Sequence, residues 1–437
     1  MSYSFVKERG RGGFGVVDEV RHTNGHLYAR KTLFIPPNVA PEQLRPRFER
    51  EVKYQSAIQH SHVVPIYQHD LSAHPPWFIM PLAQCSLYDQ LVIDRHLGGQ
   101  PNTALFHILA GLEEMHRLGY CHRDLKPQNV LLLTGQDGSA LYALSDFGLM
   151  AVGEDATSTL TPSGMGGGTP AYQAPECALN FKRATPRSDL YSFGAILHDI
   201  FAANPKRLPH EELTAPGAIG PVIEKCTKRN AHRRYRDVQQ LREALFQALS
   251  QYQFTFQSGE EQKVVELLAD TTKLPSEAQW DDIFDFLDTT PDTGQPTLNV
   301  FRTLRREHIE QLANDDADLM AALGKMFADH CRTRSFNFDY CDVLAARAQA
   351  FYDLGELGLK ADITVAMLIL GREHNRWFVE RKFMQMAGPG IADELAHRIA
   401  VELSVLNVDL FSKFKELELS ISADKAALHP TLQALIE

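Results

Sequence analysis

Three short stretches carry residue types that suit phosphate chemistry. The first, "GRGGFGVV" (10–17), fits the pattern G-x-G-x-x-G-x-V. Glycines so spaced also occur in dinucleotide-binding turns, so the flanks must decide. A dinucleotide turn opens a helix, and a Walker loop places Lys-Ser/Thr after its last glycine. Here Val16-Val17 follows, then a strand and a hairpin signal. What remains is a two-stranded flap whose missing side chains let backbone N–H groups approach an anion, or an ordinary glycine-rich hairpin. The second stretch is "YARK", ending in Lys31 on the paired strand. A lysine there puts a cation on nucleotide phosphates if a carboxylate holds its flexible stem, and Glu51 is the natural holder. The third is "HRDLKPQN" (122–129), which sets Asp124, Lys126 and Asn129 into a region that is otherwise apolar.

The elements that must position these residues are readable in outline. "VVDEV" and "HLYARKTL" flank "RHTNG", whose Asn24-Gly25 pair is a strong hairpin signal. "PEQLRPRFEREVKYQSAIQH" predicts a helix with Phe48, Val52 and Ile58 as core contacts. From about residue 86 the pattern becomes mostly helical, and "DLYSFGAILHDIFA" predicts a buried helix. Residues 149–173 are a polar stretch rich in Gly, Ser and Thr, the kind of long loop that usually carries function or is disordered.

At 437 residues the chain exceeds one ordinary hydrophobic core, so more than one domain is expected. Residues 1–254 carry 26 Lys+Arg against 24 Asp+Glu, and the remainder 18 against 31, so charges of +2 and −13 sum to −11. That asymmetry sets a boundary near residue 250 and excludes a strongly basic nucleic-acid module. The six cysteines form no C-x-x-C pair, which points away from zinc or a disulfide framework and towards a reducing, cytoplasmic compartment. No apolar run approaches the roughly 18 residues of a membrane span, and the first residues lack a signal core.

The stretches also occur in a telling order. The glycine loop, Lys31, "HRDLKPQN", "DFG" at 146–148 and "APE" at 174–176 follow one another over about residues 5–250. The chain thereby resembles the Hanks-type (eukaryotic-like) serine/threonine protein kinases, of the sort found in bacteria. The resemblance implies an α+β bilobal kinase fold over 1–254, with a β-rich lobe to about 83 and a helical lobe to 254; the charge and helical pattern of 255–437 predict an all-α acidic domain after it. The resemblance also implies ATP, with Mg²⁺ or alternatively Mn²⁺, as the small-molecule partners. Gly10, Arg11, Gly12, Gly13, Phe14, Gly15, Val17, Ala29 and Leu131 would surround the nucleotide, with Met80 as gatekeeper and Pro81 and Ala83 in the hinge. Asp124 would take or orient the substrate hydroxyl proton, Lys126 would face the transferring phosphoryl, and Asn129 and Asp146 would hold the metal. Lys126 and Thr169, in "GTPAYQAPE", are typical of serine/threonine kinases. Glu176 would pair with Arg234 as a structural link.

Departures from the family pattern test the resemblance. Tyr28 and Arg30 replace aliphatic residues of the lysine strand but leave Ala29 as a roof. Pro81 has no N–H, yet the first hinge residue supplies only its carbonyl, and the donor is expected at Ala83. Cys85 lies just past the hinge, either near the ribose or as a packed spectator. Arg123 precedes the aspartate, as in kinases whose activation segment is ordered by phosphate, and the candidate phosphosites are Thr157, Ser158, Thr159, Thr161 and Ser163. The glycines at 164 and 166–168 favour a mobile unmodified segment.

Residues 255–437 match no named family. "TTPDTGQPT" (289–297) predicts a loop, "ITVAMLILG" (363–371) a buried helix, and two apolar stripes further helices: Leu319, Leu323 and Phe327; Ile391, Leu395, Ile399, Leu403 and Leu406. His374 is better read as a packed or surface histidine than as a haem ligand. The domain is expected to recruit substrate, control the kinase lobes or mediate oligomerisation, and the resemblance implies self-association of the chain during trans-autophosphorylation. The leading function is a soluble serine/threonine protein kinase. Its rivals are a pseudokinase scaffold, a small-molecule kinase, and a toxin, effector or anti-phage kinase with the same chemistry. Intact Lys31, Asp124, Asn129 and Asp146 argue against the first rival, and the Thr-containing segment ending in "APE" argues against the second.

Overall fold

Asn24 and Gly25 close the first hairpin: Gly25 takes φ +87°, and the His26 N–H donates to Asn24 Oδ1 at 3.0 Å. The structure is a computed structural model and describes residues 3–11, 15–35, 41–135, 138–147, 151–152, 170–179, 183–249, 256–270, 272–290, 295–334, 336, 338–373 and 377–436. The hairpin joins β2 (Gly15–His22) to β3 (Leu27–Leu33), and β1 (Tyr3–Arg11) pairs with β2 on the other side. With β4 (Gln68–Asp70) and β5 (Trp77–Pro81) they make an antiparallel sheet of order β1-β2-β3-β5-β4.

Helix α1 (Pro41–Ala57) follows β3. Leu44, Phe48 and Val52, each at most 3% exposed, recur at four-residue spacing and form its apolar stripe. Glu51 and Gln55 lie on the same face and are carried inward with it. Ile58 is buried as expected for a core contact but lies just beyond the helix end.

Helices dominate from α2 (Leu87–Ile93), which follows the short β6 (Cys85–Ser86), through α3 (Asn102–Arg117). Strands β7 (Tyr120–Cys121), β8 (Val130–Thr134) and β9 (Ala140–Leu144) frame the segment that holds Asp124 and the strand end before Asp146. The expected loop over 149–173 is not wholly irregular, because β10 (Ala151–Val152) pairs with β7 and Pro170–Tyr172 form a 3-10 turn. Helices α4 (Pro175–Leu179), α5 (Pro186–Phe201), α6 (Ile219–Cys226) and α7 (Val238–Leu249) complete this part. Thr185 caps α5 and Pro186 takes its first turn, after which Leu190, Phe193, Ala195, Ile196 and Leu197 are fully buried.

The chain divides into two compact units, Met1–Leu249 and Ser250–Glu437. The second begins with α8 (Gly259–Ala269), α9 (Glu277–Thr289), α10 (Gln295–Thr303) and α11 (Arg306–Asp315). It continues with α12 (Ala317–Thr333), α13 (Phe338–Leu354), α14 (Leu357–Glu373) and α15 (Trp377–Met386). Helices α16 (Asp393–Val405), α17 (Leu410–Ile421) and α18 (Pro430–Gln433) end it. The apolar run in α14 is the centre of this unit, packed against α12, α13, α15 and α16, with Ile363, Val365, Met367 and Leu368 fully buried. Two expectations need correction. The loop over 289–297 is shorter than its turn-forming residues suggest, because α10 already begins at Gln295. The stripe of α16 is shorter at both ends than Ile391 to Leu406, because the helix starts at Asp393, after Ile391, and stops at Val405, which leaves Leu406 as an exposed C-cap. His374 lies outside the described residues. Among the described residues no helix is long and apolar enough to cross a membrane.

A buried ion pair ties α4 to the end of the first unit. Arg234 Nη1 and Nη2 meet Glu176 Oε1 and Oε2 at 2.7 and 2.8 Å, the guanidinium fully buried, while Ser188 Oγ donates to Oε1 at 2.7 Å. Burial opposes the charge on Glu176, but Arg234 and Ser188 outweigh it and hold the carboxyl below its ordinary range. Removing one partner strands the other charge, so Arg234→Met should cost about 3–5 kcal/mol of stability in denaturant unfolding. Because the folded pKa is depressed, the Glu176 contribution is complete above the unfolded value of 4.5 and fades as pH falls through the folded one. The variant should therefore show a shallower loss of stability on acidification than the wild type.

Candidate active site

Lys31 stands on β3, directly opposite Val17 of β2. Its ammonium lies 2.6 Å from Glu51 Oε1 and 3.4 Å from Asp146 Oδ1. Three elements distant in sequence meet in that cluster: the sheet, the buried face of α1 and the turn after β9. Burial opposes the charge on Lys31, but Asp146 and Glu51 outweigh it and hold its pKa above the usual lysine range. Burial also raises the Glu51 carboxyl, to about 7, against the pull of Lys31. Burial opposes ionisation of Asp146 too, yet Lys31 and Lys126 keep its carboxyl below the usual range. Gly15 matters here for space, because a Cβ would come within 3.2 Å of the Lys31 stem.

Opposite lies the segment "HRDLKPQN". Lys126 Nζ donates to Asp124 Oδ2 at 2.7 Å. The Asn129 amide donates to the Asp124 carbonyl at 2.8 Å and to its Oδ2 at 3.2 Å. Burial raises the Asp124 carboxyl above its ordinary range, while Lys126 pulls it down. The Asn129 carbonyl in turn accepts from Ser145 N–H at 2.9 Å, which ties this segment to the residue before Asp146.

One residue that sequence reasoning missed organises the segment. Asp189, in the first turn of α5 and fully buried, accepts from the His122 and Arg123 N–H groups at 2.9 Å each and lies 2.8 Å from His116 Nε2. These bonds hold the carboxyl below its ordinary range although burial opposes its charge. Arg123 takes φ +67° and Asp146 φ +65°, so the chain turns sharply at both positions. The available signal was a carboxylate in the first turn of a mostly apolar helix that carries a second one, Asp199, near its end.

Apolar side chains of the sheet and the lower part meet in one cluster: Ala29 and Met80 are buried in it, and Val17, Ala83 and Leu131 pack against it. Gln84 N–H donates to the Leu132 carbonyl at 2.9 Å and fixes the chain after Ala83 to β8. Pro81 pairs in register with Tyr28. Gly10 and Arg11 end β1, and a Cβ at Gly10 would meet open space. Gly12, Gly13 and Phe14 lie outside the described residues, as do Gly148, Thr157, Ser158, Thr159, Thr161, Ser163 and Thr169. Arg123 has a buried Nε with no hydrogen-bond partner among the described residues. Burial lowers its pKa, and Arg50 of α1 pushes the same way.

The donor set suits a hard divalent cation. With its Nδ2 committed to Asp124, Asn129 has its side-chain Oδ1 to offer, and Asp146 adds a carboxylate that is half exposed.

Residues 3–258 match the protein kinase domain model. The chain belongs to the protein kinase family. The kinase-family region is 36% identical over 210 residues to the DNA damage-responsive serine/threonine-protein kinase RqkA of Deinococcus radiodurans, covering 46% of this chain and 30% of that one. It is 32% identical over 241 residues to the serine/threonine-protein kinase AfsK of Streptomyces coelicolor, covering 51% and 29%. It is also 30% identical over 217 residues to the carbon catabolite-derepressing protein kinase of Candida glabrata, covering 49% and 34%. The chain thus spans about a third of the length of these curated relatives.

Among the carboxylates of this cleft, Glu51 is the one that burial pushes up to about 7. Its ionised form, which holds the lysine stem, is lost as pH falls through about 7. Turnover should therefore decline on an acid limb near that pH. Glu51→Gln should lower kcat/KM about 10²-fold at pH 8, through misplacement of Lys31, and should abolish that limb. An unmoved limb in a pH-rate profile would assign it to another group.

Proposed function

We propose that this chain is an ATP-dependent protein-serine/threonine kinase, which transfers the γ-phosphoryl group to hydroxyls of protein substrates. The observation that carries the reading is the convergence of Lys31, Glu51 and Asp146 on one side of the cleft with Asp124, Lys126 and Asn129 on the other. Phosphoryl transfer requires little covalent chemistry from the protein, so positioning and charge do most of it.

Lys31, held by Glu51, places its ammonium on the nucleotide phosphates. Val17, Ala29, Met80 and Leu131 enclose the base, and the hinge supplies the Pro81 carbonyl and the Ala83 N–H. Asn129 and Asp146 hold Mg²⁺, with Mn²⁺ as the alternative, and bound metal neutralises phosphate charge. Asp124 accepts the proton of the attacking hydroxyl, and its raised pKa brings it closer to that task. Lys126, at 2.7 Å from Asp124, sits where the transferring group must pass and offsets its charge.

Regulation follows from Arg123. Its unsatisfied buried Nε and its neighbour Arg50 favour an anion at this place, and phosphate on Thr161 or Ser163, or on Thr157 or Thr159, is the intramolecular source. Thr169 acts at the substrate site, and two copies meet during autophosphorylation in trans. The acidic helices after residue 255 recruit substrate or regulate the kinase unit, and a reducing cytoplasm is the compartment.

Incubation with γ-labelled ATP tests the reading. Asp124→Asn should reduce label in protein serine and threonine by about 10²–10⁴-fold, and equal labelling would refute the assignment. Thr161→Ala with Ser163→Ala should abolish the rise in turnover that follows preincubation with ATP. A rise of wild-type size would place the control elsewhere.

A further inference from the structure

Pro46 stands inside α1 and has no N–H to give the carbonyl four residues earlier, so the helix lacks a rung just ahead of Glu51. Arg45, next to that gap, uses every nitrogen of its guanidinium. Nε donates to Glu49 Oε1 at 2.8 Å, Nη1 lies 2.9 Å from His74 Nδ1, and Nη2 donates to the Leu71 carbonyl. The bond to Glu49 stays within α1 and spans the proline, whereas Leu71 and His74 belong to the loop between β4 and β5. Arg45 lies one turn before Phe48 and two before Val52, so it borders the buried stripe of the helix. Leu71 packs against the cluster that contains Leu44, Phe48 and Val52.

The loop that receives Arg45 is itself fixed at both ends. Asp70 Oδ1 accepts from the Ser72 N–H at 3.0 Å, the Ser72 hydroxyl at 2.7 Å and the Ala73 N–H at 3.0 Å, which closes a turn around Leu71. At the far end the Pro76 carbonyl accepts from the Leu33 N–H at 2.9 Å. Leu33 follows Lys31 closely on β3, where Lys31 pairs with Phe78 of β5. One short loop is therefore bonded both to the strand that carries Lys31 and to the helix that carries Glu51. Arg45 and Glu51 are about 9 Å apart along the helix axis, so a shift at the anchor is felt at the carboxylate.

We propose that Arg45 is a positioning residue for Glu51: it docks α1 on the β4–β5 loop at the distance where Glu51 meets Lys31. The assignment rests on the reading of the Lys31–Glu51–Asp146 cluster as part of a phosphoryl-transfer site and adds the contact that sets its helix in place. Arg45 acts through Glu51 rather than on the nucleotide.

A double-mutant cycle on the full chain tests this, with turnover read as transfer from γ-labelled Mg²⁺-ATP to dephosphorylated casein at saturating nucleotide. Arg45→Met keeps an apolar stem and removes the donor fork. It should lower kcat about ten-fold in the wild-type background and cause no further loss in Glu51→Ala. An unchanged kcat in Arg45→Met would overturn the proposal. The same fall in both backgrounds would also overturn it, because Arg45 would then act on the fold as a whole. If Arg45→Met melts early, Arg45→Lys carries the comparison, since it keeps one donor for the Leu71 carbonyl. Its smaller loss should likewise vanish in Glu51→Ala, and a loss that persists there is the contrary result. A wild type that transfers no label, or a Glu51→Ala chain as active as the wild type, would instead refute the reading of the cluster beneath the proposal.

Discussion

The cleft of the first unit is organised around one largely enclosed ammonium. Lys31 is held between Glu51 and Asp146, and these three groups belong to the sheet, to α1 and to the turn after β9. Two charges taken out of water lose solvation that their attraction alone does not always restore. The arrangement holds because the apolar stripe of α1 has already placed Glu51 inward, so that the carboxylate meets the lysine at 2.6 Å. If α1 moved away, Glu51 would leave and Lys31 would retain only the more distant, half-exposed Asp146. The position of a helix is thereby converted into the position of the Lys31 charge.

The lower half of the cleft solves a different problem. Residues 122–126 belong to no helix or strand, so their backbone groups need partners from elsewhere. Asp189 supplies the missing order by accepting from two consecutive N–H groups, and the N-terminal turn of α5 favours its negative charge. The Arg234–Glu176–Ser188 contacts anchor α4 to the residue next to Asp189. A short run of buried hydrogen bonds thus links the catalytic segment to the base of the unit.

How much of this was legible in the sequence differs from element to element. The Asn24-Gly25 hairpin and the apolar runs of α5 and α14 were plain, because turn chemistry and continuous burial leave direct marks on residue type. The order of the motifs was plain too, and with it the residues that surround the cleft. Asp189 was not, because its role lies in accepting backbone N–H groups, which have no sequence signature. Nor was the burial of Glu19, which reads as a solvated strand charge until it is seen paired opposite Ala29 and beside Lys7 and Arg9 of β1. The start of α10 was missed because Gln295-Pro296-Thr297 suits a turn as well as a helix's first turn, where proline is tolerated.

If phosphoryl transfer runs through the Lys31–Glu51–Asp146 cluster, the lysine charge must be felt in the chemical step itself. Single-turnover transfer from Mg²⁺-ATP to protein hydroxyls, compared between wild type and Lys31→Met at saturating nucleotide, isolates that step. The variant should stay folded and transfer about 10²–10³-fold more slowly, as expected on losing one preorganised charge at the reacting phosphates. Transfer at the wild-type rate would contradict a catalytic role for the cluster.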